Sequence, residues 1–215
     1  MMNKIVLFDF DGTLMDTEQA IVQSYRELFR RYRTVEEFTR EKEISVLGPS
    51  LEEKIKEFFP DYDPVELQEE YRIFQQEHLK ETIQPMPNAL ELLQWLKEKQ
   101  YETGIVTARK RKSLIHILEL FHMVSYFDIL VGYDDVKKKK PDPEGIFKAT
   151  QQKSYSTIYY VGDSSMDILA GKNANVITVA YLNLEEKIPV LKELHADYYV
   201  NDLIEIKEII EKKGV

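Results

Sequence analysis

Ile5-Val6-Leu7-Phe8-Asp9-Phe10-Asp11-Gly12-Thr13 is the stretch on which the reading of this chain turns. Four apolar residues in a row predict a strand buried on both faces, as in the middle of a parallel sheet. The run stops at two carboxylates two residues apart, followed by a glycine that lets the backbone turn sharply. A strand that delivers acids at its C-terminal end delivers them where open α/β sheets bind ligands. Asp9 and Asp11 at that spacing repel each other unless a cation lies between them. The plain alternatives are a polar turn or a fragment of a calcium loop. A calcium loop needs further oxygen ligands at regular offsets and a distal glutamate, and Phe10, Thr13, Leu14 and Met15 do not supply them.

The 215 residues suffice for one large domain, or for a core with a small insert. A hydrophobic share of 43% and a charged share of 31% suit a soluble globular chain. The net charge of −9 argues against nucleic acid as a partner, because that needs a basic face. It leaves phosphate substrates open, since one metal ion and one lysine invert the field locally. The absence of cysteine excludes disulfides, thiolate catalysis and zinc–thiolate sites. No apolar run approaches the roughly 18 residues of a membrane span, and the first strand reads as core rather than as a signal peptide. A cytoplasmic location with no membrane partner is the expectation; monomer and dimer both stay open.

Beyond Thr13 the pattern changes. Residues 17–33 read as a helix, with Ala20, Ile21, Tyr25, Leu28, Phe29 and Tyr32 at helical spacing. Thr34 and Glu37, then Ser50 and Glu53, have the spacing of capping boxes for two further helices. Asp63-Pro64 opens another, expected to run to about residue 80. From Gln84 onward short apolar runs alternate with amphipathic ones. Strands are expected at 104–107, 127–131, 158–161, 176–180 and 197–200, with helices between them and after the last. The expected fold is therefore α/β, a Rossmann-like parallel sheet with helices on both faces and right-handed crossovers, interrupted by a small all-helical insert. The expected division is residues 1–14 and 84–215 for the core domain and 15–83 for the insert.

Four strand ends carry residues capable of chemistry: Asp9 and Asp11; Thr107 with Ala108 and Arg109; Lys140 in Lys140-Pro141-Asp142-Pro143; and Asp163 and Asp167 in Gly162-Asp163-Ser164-Ser165-Met166-Asp167. Taken singly, Thr107 reads as an ordinary helix cap, residues 137–140 as a solvated charge run, and Asp163 and Asp167 as caps. Their joint occurrence along one sheet edge is what those readings explain poorly. His78, His116, His122 and His195 show no ligand spacing. Trp95 and tyrosines 159, 160, 198 and 199 fit core and strand packing.

In this order and at these places, the four motifs resemble those of the haloacid dehalogenase superfamily in its phosphatase branch. The resemblance covers the whole chain, and the helical insert after the first motif is similar to the family's small cap. Within the branch the chain looks most like phosphoglycolate phosphatases and bacterial pyrophosphatases, partly through Gly48-Pro49-Ser50-Leu51. The resemblance implies a Mg²⁺-dependent phosphomonoester hydrolase for a small phosphorylated metabolite. It implies that Asp9 takes the phosphoryl group as an aspartyl-phosphate and that Asp11 is the general acid and base. Mg²⁺ is then held by the Asp9 and Asp163 carboxylates and the Asp11 carbonyl, with Asp167 behind them. Thr107 and the Ala108 amide take phosphoryl oxygens at a helix start, Lys140 pairs with Asp9 and the phosphate, and Gly12, Thr13, Arg109 and Ser50 line the substrate site. A dehalogenase has no use for a second acid at position 11. A sugar phosphomutase shares the motifs but adds a cap signature not found here. A non-catalytic phosphate-binding protein has usually lost an acid or the lysine.

Overall fold

The computed structural model describes residues 3–77 and 79–212. Strand β1 (Asn3–Phe8) lies in the middle of a six-stranded sheet. The chain then forms β2 (Met15–Asp16), α1 (Glu18–Tyr32), α2 (Arg40–Ser45), α3 (Leu51–Phe58), α4 (Pro64–Glu77), α5 (Leu79–Thr82) and β3 (Gln84–Pro85). It continues as α6 (Ala89–Glu98), β4 (Glu102–Val106), α7 (Arg111–Leu120), β5 (Ile129–Val131), α8 (Glu144–Thr150) and β6 (Tyr155–Gly162). Helix α9 (Ser165–Asn173), β7 (Ile177–Tyr181), α10 (Ile188–Glu193), β8 (Tyr198–Val200) and α11 (Ile206–Lys212) complete it.

The sheet order is β5-β4-β1-β6-β7-β8, and all neighbours are parallel. Alternation along β1 explains the two layers. Val6 and Phe8 turn to one face, where Leu92 and Leu93 of α6, Leu114 and Leu118 of α7 and Ile206 of α11 cover them. Ile5 and Leu7 turn to the other, against Ile146 and Ala149 of α8 and Ala170 of α9. A strand with both faces covered has to be apolar throughout, and Ile5, Val6, Leu7 and Phe8 are fully buried.

Helices α1 to α4 close on an apolar cluster of their own. Phe29 stacks on Phe38 at 4.8 Å and meets Phe59 at 4.9 Å, while Tyr25 meets Tyr71 edge-on at 5.0 Å. Tilted and stacked aromatic pairs of this kind add to the burial of their area. The two crossings into and out of this block pair with each other: Met15 lies opposite Pro85 and Asp16 opposite Gln84 in the antiparallel pair β2–β3.

The helix expected from residue 63 to about 80 is described over Pro64–Glu77 and again over Leu79–Thr82; His78 between them lies outside the described residues. The helix expected between the strands at 176–180 and 197–200 begins as a 3₁₀ turn, Glu185–Lys187, before α10. No helix of the described residues is long and apolar enough to cross a membrane.

Candidate active site

Register brings the four motifs together. Phe8 is level with Ile105 of β4 on one side and with Val161 of β6 on the other. The residues that follow, Asp9, Thr107 and Asp163, therefore leave neighbouring strands along one edge. Strand β5 ends beside β4 and feeds the loop carrying Lys140. The chain has β4 and β5 to one side of β1 and β6, β7 and β8 to the other, and such a reversal of direction is where open sheets form a crevice.

At the bottom of that crevice the carboxylates of Asp9, Asp163 and Asp167 each offer an oxygen, all within 4.8 Å of one another. The Lys140 ammonium lies between two of them, donating to Asp9 Oδ1 at 2.8 Å and to Asp167 Oδ1 at 2.6 Å. Asp167 is saturated with donors. Tyr160 Oη donates to its Oδ1 at 3.0 Å, and the Ser164 amide and hydroxyl donate to its Oδ2 at 3.1 and 2.5 Å. Asp163 accepts from Thr13 Oγ1 at 2.9 Å and from Lys187 Nζ at 2.5 Å.

Burial drives the Asp9 carboxyl above its ordinary range; Lys140 opposes this, while the charges of Asp167 and Asp163 reinforce it. Burial acts the same way on Asp167, but there Lys140 and the bonds from Ser164 and Tyr160 prevail and hold it below its ordinary range. Lys140 is held well above the ordinary lysine value, because Asp167 and Asp9 outweigh its own burial. An all-oxygen donor set of this kind suits a hard divalent cation rather than a soft one. The surplus of carboxylates over ammonium groups leaves negative charge to be met, so Asp9 and Asp163 fit such an ion, while the saturated Asp167 positions Lys140 and the Ser164 turn.

Asp11 points elsewhere. Arg109 grips it with Nε at 3.0 and 3.2 Å and Nη2 at 2.6 Å, and spends its Nη1 on Gln75 of α4 and Ser113 of α7, both at 3.0 Å. The Asp9 and Asp11 carboxylates, expected to repel each other, each meet a separate basic side chain, a lysine for one and an arginine for the other. Thr107 is buried, and its hydroxyl accepts from the Arg109 amide at 3.2 Å. It does not cap α7, whose cap position is Lys110. Thr107, Ala108 and Arg109 form a turn ahead of the helix.

Gly12 adopts φ 81°, and a side chain there would run into Asp163 Oδ2 at 2.5 Å. Only glycine lets the loop press this close to a carboxylate. Gly48, at φ 125°, brings the loop between α2 and α3 against Ser164 in the same manner. Ser50 is buried and caps α3, accepting from the Glu53 amide at 3.3 Å while Glu53 Oε2 accepts from the Ser50 amide at 3.0 Å. One cavity joins Asp9, Asp11, Thr107 and Arg109 to Ser50 and Gln75 across the gap between sheet and helical block. Tyr133 closes its rim, donating to Glu52 Oε2 at 2.7 Å.

The reading of residues 137–140 as one solvated charge run fails at Lys139 as well as at Lys140. The Lys139 ammonium donates to the Tyr133 and Val136 carbonyls and lies 3.7 Å from the centre of the Tyr133 ring. Lys138 remains in solvent. Sequence reasoning also missed Tyr160, read as strand packing, and Lys187, Gln75 and Tyr133, for which no local pattern gave a signal.

The haloacid dehalogenase-like hydrolase family model matches residues 6–181. The chain is 32% identical over 212 residues to the pyrophosphatase PpaX of Halalkalibacterium halodurans, covering 97% of both chains. It is likewise 32% identical over 213 residues to the pyrophosphatase PpaX of Bacillus mycoides, covering 96% of both. A haloacid dehalogenase-like hydrolase from Bacteroides fragilis superposes with a TM-score of 0.85 at 25% identity, covering 95% of this chain and 99% of that one. A Lactobacillus plantarum protein assigned as a phosphoglycolate phosphatase reaches 0.84 at 21% identity, covering 97% and 99%, which is a likeness of fold.

Proposed function

The chain belongs to the haloacid dehalogenase-like hydrolases, and from that premise we propose that it is a Mg²⁺-dependent phosphatase acting on a small phosphorylated metabolite. The observation that carries the reading is the Lys140 ammonium held between Asp9 and Asp167 beside Asp163. It sets a buried carboxylate nucleophile next to fixed positive charge, where an anionic phosphoryl group meets the least repulsion. Asp9 attacks phosphorus; the P–O bond to the leaving group breaks and an aspartyl-phosphate forms. Asp11 protonates the departing oxygen, then takes a proton from the water that cleaves the intermediate. Thr107 and the Ala108 amide hold phosphoryl oxygens. A bound Mg²⁺, held by Asp9, Asp163 and the Asp11 carbonyl, supplies charge neutralisation and orientation of the phosphoryl oxygens.

Pyrophosphate is the first substrate to test, supported by the PpaX relatives at 32% identity; phosphoglycolate and sugar phosphates follow. Release of inorganic phosphate from this panel, and from p-nitrophenyl phosphate, is measured with Mg²⁺ and after chelation. Full turnover without the cation overturns the reading, and binding of phosphate esters with no hydrolysis of any of them favours a non-catalytic binder.

The raised Asp9 carboxyl gives a pH prediction. A ligand that must lose a proton binds cation more weakly in acid. Apparent Mg²⁺ affinity is therefore expected to keep rising above about pH 6, where an ordinary carboxylate would already be flat. Proton release on binding, seen by calorimetry in two buffers of different ionisation enthalpy, checks it. The sign for stability is opposite to the usual carboxylate case. The folded state holds this proton more tightly than the unfolded one, so in the metal-free protein this group's contribution falls as pH rises from the ordinary carboxylate range toward the raised value. Cation binding offsets the loss.

The helical block, residues 15–83, acts in this reading as a cap hinged at β2–β3 that closes to exclude water. Its loop over Ser164 gives a second prediction. Gly48→Ala puts a Cβ 3.0 Å from that of Ser164 at a φ that L-residues avoid. The expected result is at least a roughly tenfold loss in kcat/KM for the best metabolite, with a smaller loss for p-nitrophenyl phosphate, which draws less on closure. Equal losses on both substrates place the defect in the chemistry instead.

A further inference from the structure

Lys187 is the last residue of the Glu185–Lys187 turn and belongs to none of the four motifs, yet its ammonium lies 2.5 Å from Asp163 Oδ2, 24 residues away, with the side chain only 11% exposed. We propose that Lys187 is a resident counter-cation for Asp163 that a divalent ion displaces, so that this lysine sets the protein's affinity for the metal. The inference rests on the metal-site reading above.

Three observations carry it. First, both oxygens of Asp163 are committed, one to Thr13 and one to Lys187, and the Gly12 backbone crowds Oδ2, since a Cβ there would lie 2.5 Å from it. A metal ion that takes this oxygen must therefore take it from the ammonium. Second, the lysine has somewhere to go. The cavity it shares with Asp163 also has Asp16 and Glu18 on its wall, carboxylates toward which a flexible four-carbon stem can turn the charge. Third, the backbone that carries it is held from two sides. Asn183 Nδ2 donates to the Gly12 carbonyl at 2.7 Å, and Glu186 accepts from Arg40 of α2 at 2.8 Å. The turn stays beside the nucleophile loop while the ammonium leaves.

The physical consequence is an exchange of one cation for another. With the metal absent, Lys187 offsets repulsion within a buried carboxylate cluster. With the metal present, the ammonium becomes a competitor, and its departure is subtracted from the binding free energy. Lysine is thus a positioning residue: it touches a ligand of the metal and not the reacting phosphoryl group.

The test is calorimetric titration of Mg²⁺ into the full chain, wild type beside Lys187→Met and Lys187→Arg, with thermal denaturation of each protein with and without the ion. Removing the competitor in Lys187→Met is expected to tighten Mg²⁺ binding on the order of tenfold, the scale of one ion pair at the protein boundary. The metal-free form of this variant melts below wild type, and saturating Mg²⁺ closes most of that gap. Lys187→Arg keeps a counter-cation that grips a carboxylate with two donors, so its affinity is equal to or weaker than that of wild type. A structural role alone predicts loss of affinity in both variants. Unchanged or weaker binding in Lys187→Met overturns the proposal, as does tighter binding in Lys187→Arg, the readout that stands if Lys187→Met does not fold. If neither wild type nor Lys187→Met binds Mg²⁺, the metal-site reading itself fails and this inference falls with it; binding by the variant alone is the proposal in its strongest form.

Discussion

Asp9→Asn is expected to abolish turnover of every phosphorylated substrate. The asparagine amide is nearly the same size and can stay in the same pocket, but it cannot accept a phosphoryl group. It also loses the charge that Lys140 meets at 2.8 Å, so the ammonium turns more fully to Asp167. The variant should fold, since the buried carboxyl it replaces is one that burial already disfavours as an anion. Asp11→Asn isolates the other acid. It keeps the backbone carbonyl but loses the proton relay, and a cost of roughly 10²- to 10⁴-fold is expected. Arg109 then keeps Gln75 and Ser113 but loses its two-pronged carboxylate. Single-turnover measurement with acid quench, trapping a phosphoenzyme that hydroxylamine cleaves as it does an acyl phosphate, separates the two. Asp11→Asn still forms some covalent intermediate, and Asp9→Asn forms none. Activity in Asp9→Asn close to wild type would remove the covalent mechanism.

The β1 stretch was legible because the physics behind it is one-dimensional. A strand covered on both faces must be apolar throughout, and Ile5, Val6, Leu7 and Phe8 admit few other readings. The same holds for Gly162 and the acids after it, where a strand ends and α9 begins at Ser165. Short strands were located by their apolar residues and mis-measured at their polar ends. Strand β6 starts at Tyr155 rather than Ile158, because Tyr155 and Thr157 pair with β1 through backbone bonds that a side-chain pattern does not record. The converse happened at β5, where Phe127 and Asp128 looked like strand and instead lead into it.

The partners of the site residues were not legible, for a different reason. Nothing near Asp11 in sequence says that Arg109 will take its carboxylate, 98 residues away, or that Gln75 will share that guanidinium from the helical block. Tyr160 reads as packing because its ring does pack. Only the turn from β6 into α9, which brings Asp167 back beside it, shows that its hydroxyl also donates to a carboxylate. Long-range charge pairing depends on tertiary geometry, and a motif carries at most one side of it.

Four adjacent lysines give the sharpest separation of those two kinds of information. Lys137, Lys138, Lys139 and Lys140 are equivalent in composition, yet each has a different environment. Lys137 and Lys138 use their amides on the Glu144 carboxylate, which anchors the loop to the start of α8. Lys139 stays with Tyr133, and the Lys138 ammonium reaches Asp142, at 3.7 Å with 75% of its side chain exposed. Lys140 enters the carboxylate cluster with 9% exposed. Asp142 accepts from the Glu144 amide at 3.0 Å, and Asn173 of α9 donates to the Pro141 carbonyl at 2.9 Å. The chain on the C-terminal side of Lys140 is thus fixed to two helices, and the ammonium is aimed rather than merely available. A preorganised charge of this kind adds to transition-state stabilisation because it needs no reorientation when phosphoryl charge arrives. Lys140→Ala is expected to lose at least about 10²-fold in kcat/KM, the scale of removing one such stabiliser. It also leaves Asp167 buried with one donor fewer, so a lower melting temperature should accompany the loss. Lys138→Ala is expected to stay within about threefold, since an exposed charge contributes little beyond steering. Both variants are compared at one ionic strength with the same substrate, and equal losses would mean that the charge of the run as a whole, and not the placement of Lys140, carries the effect.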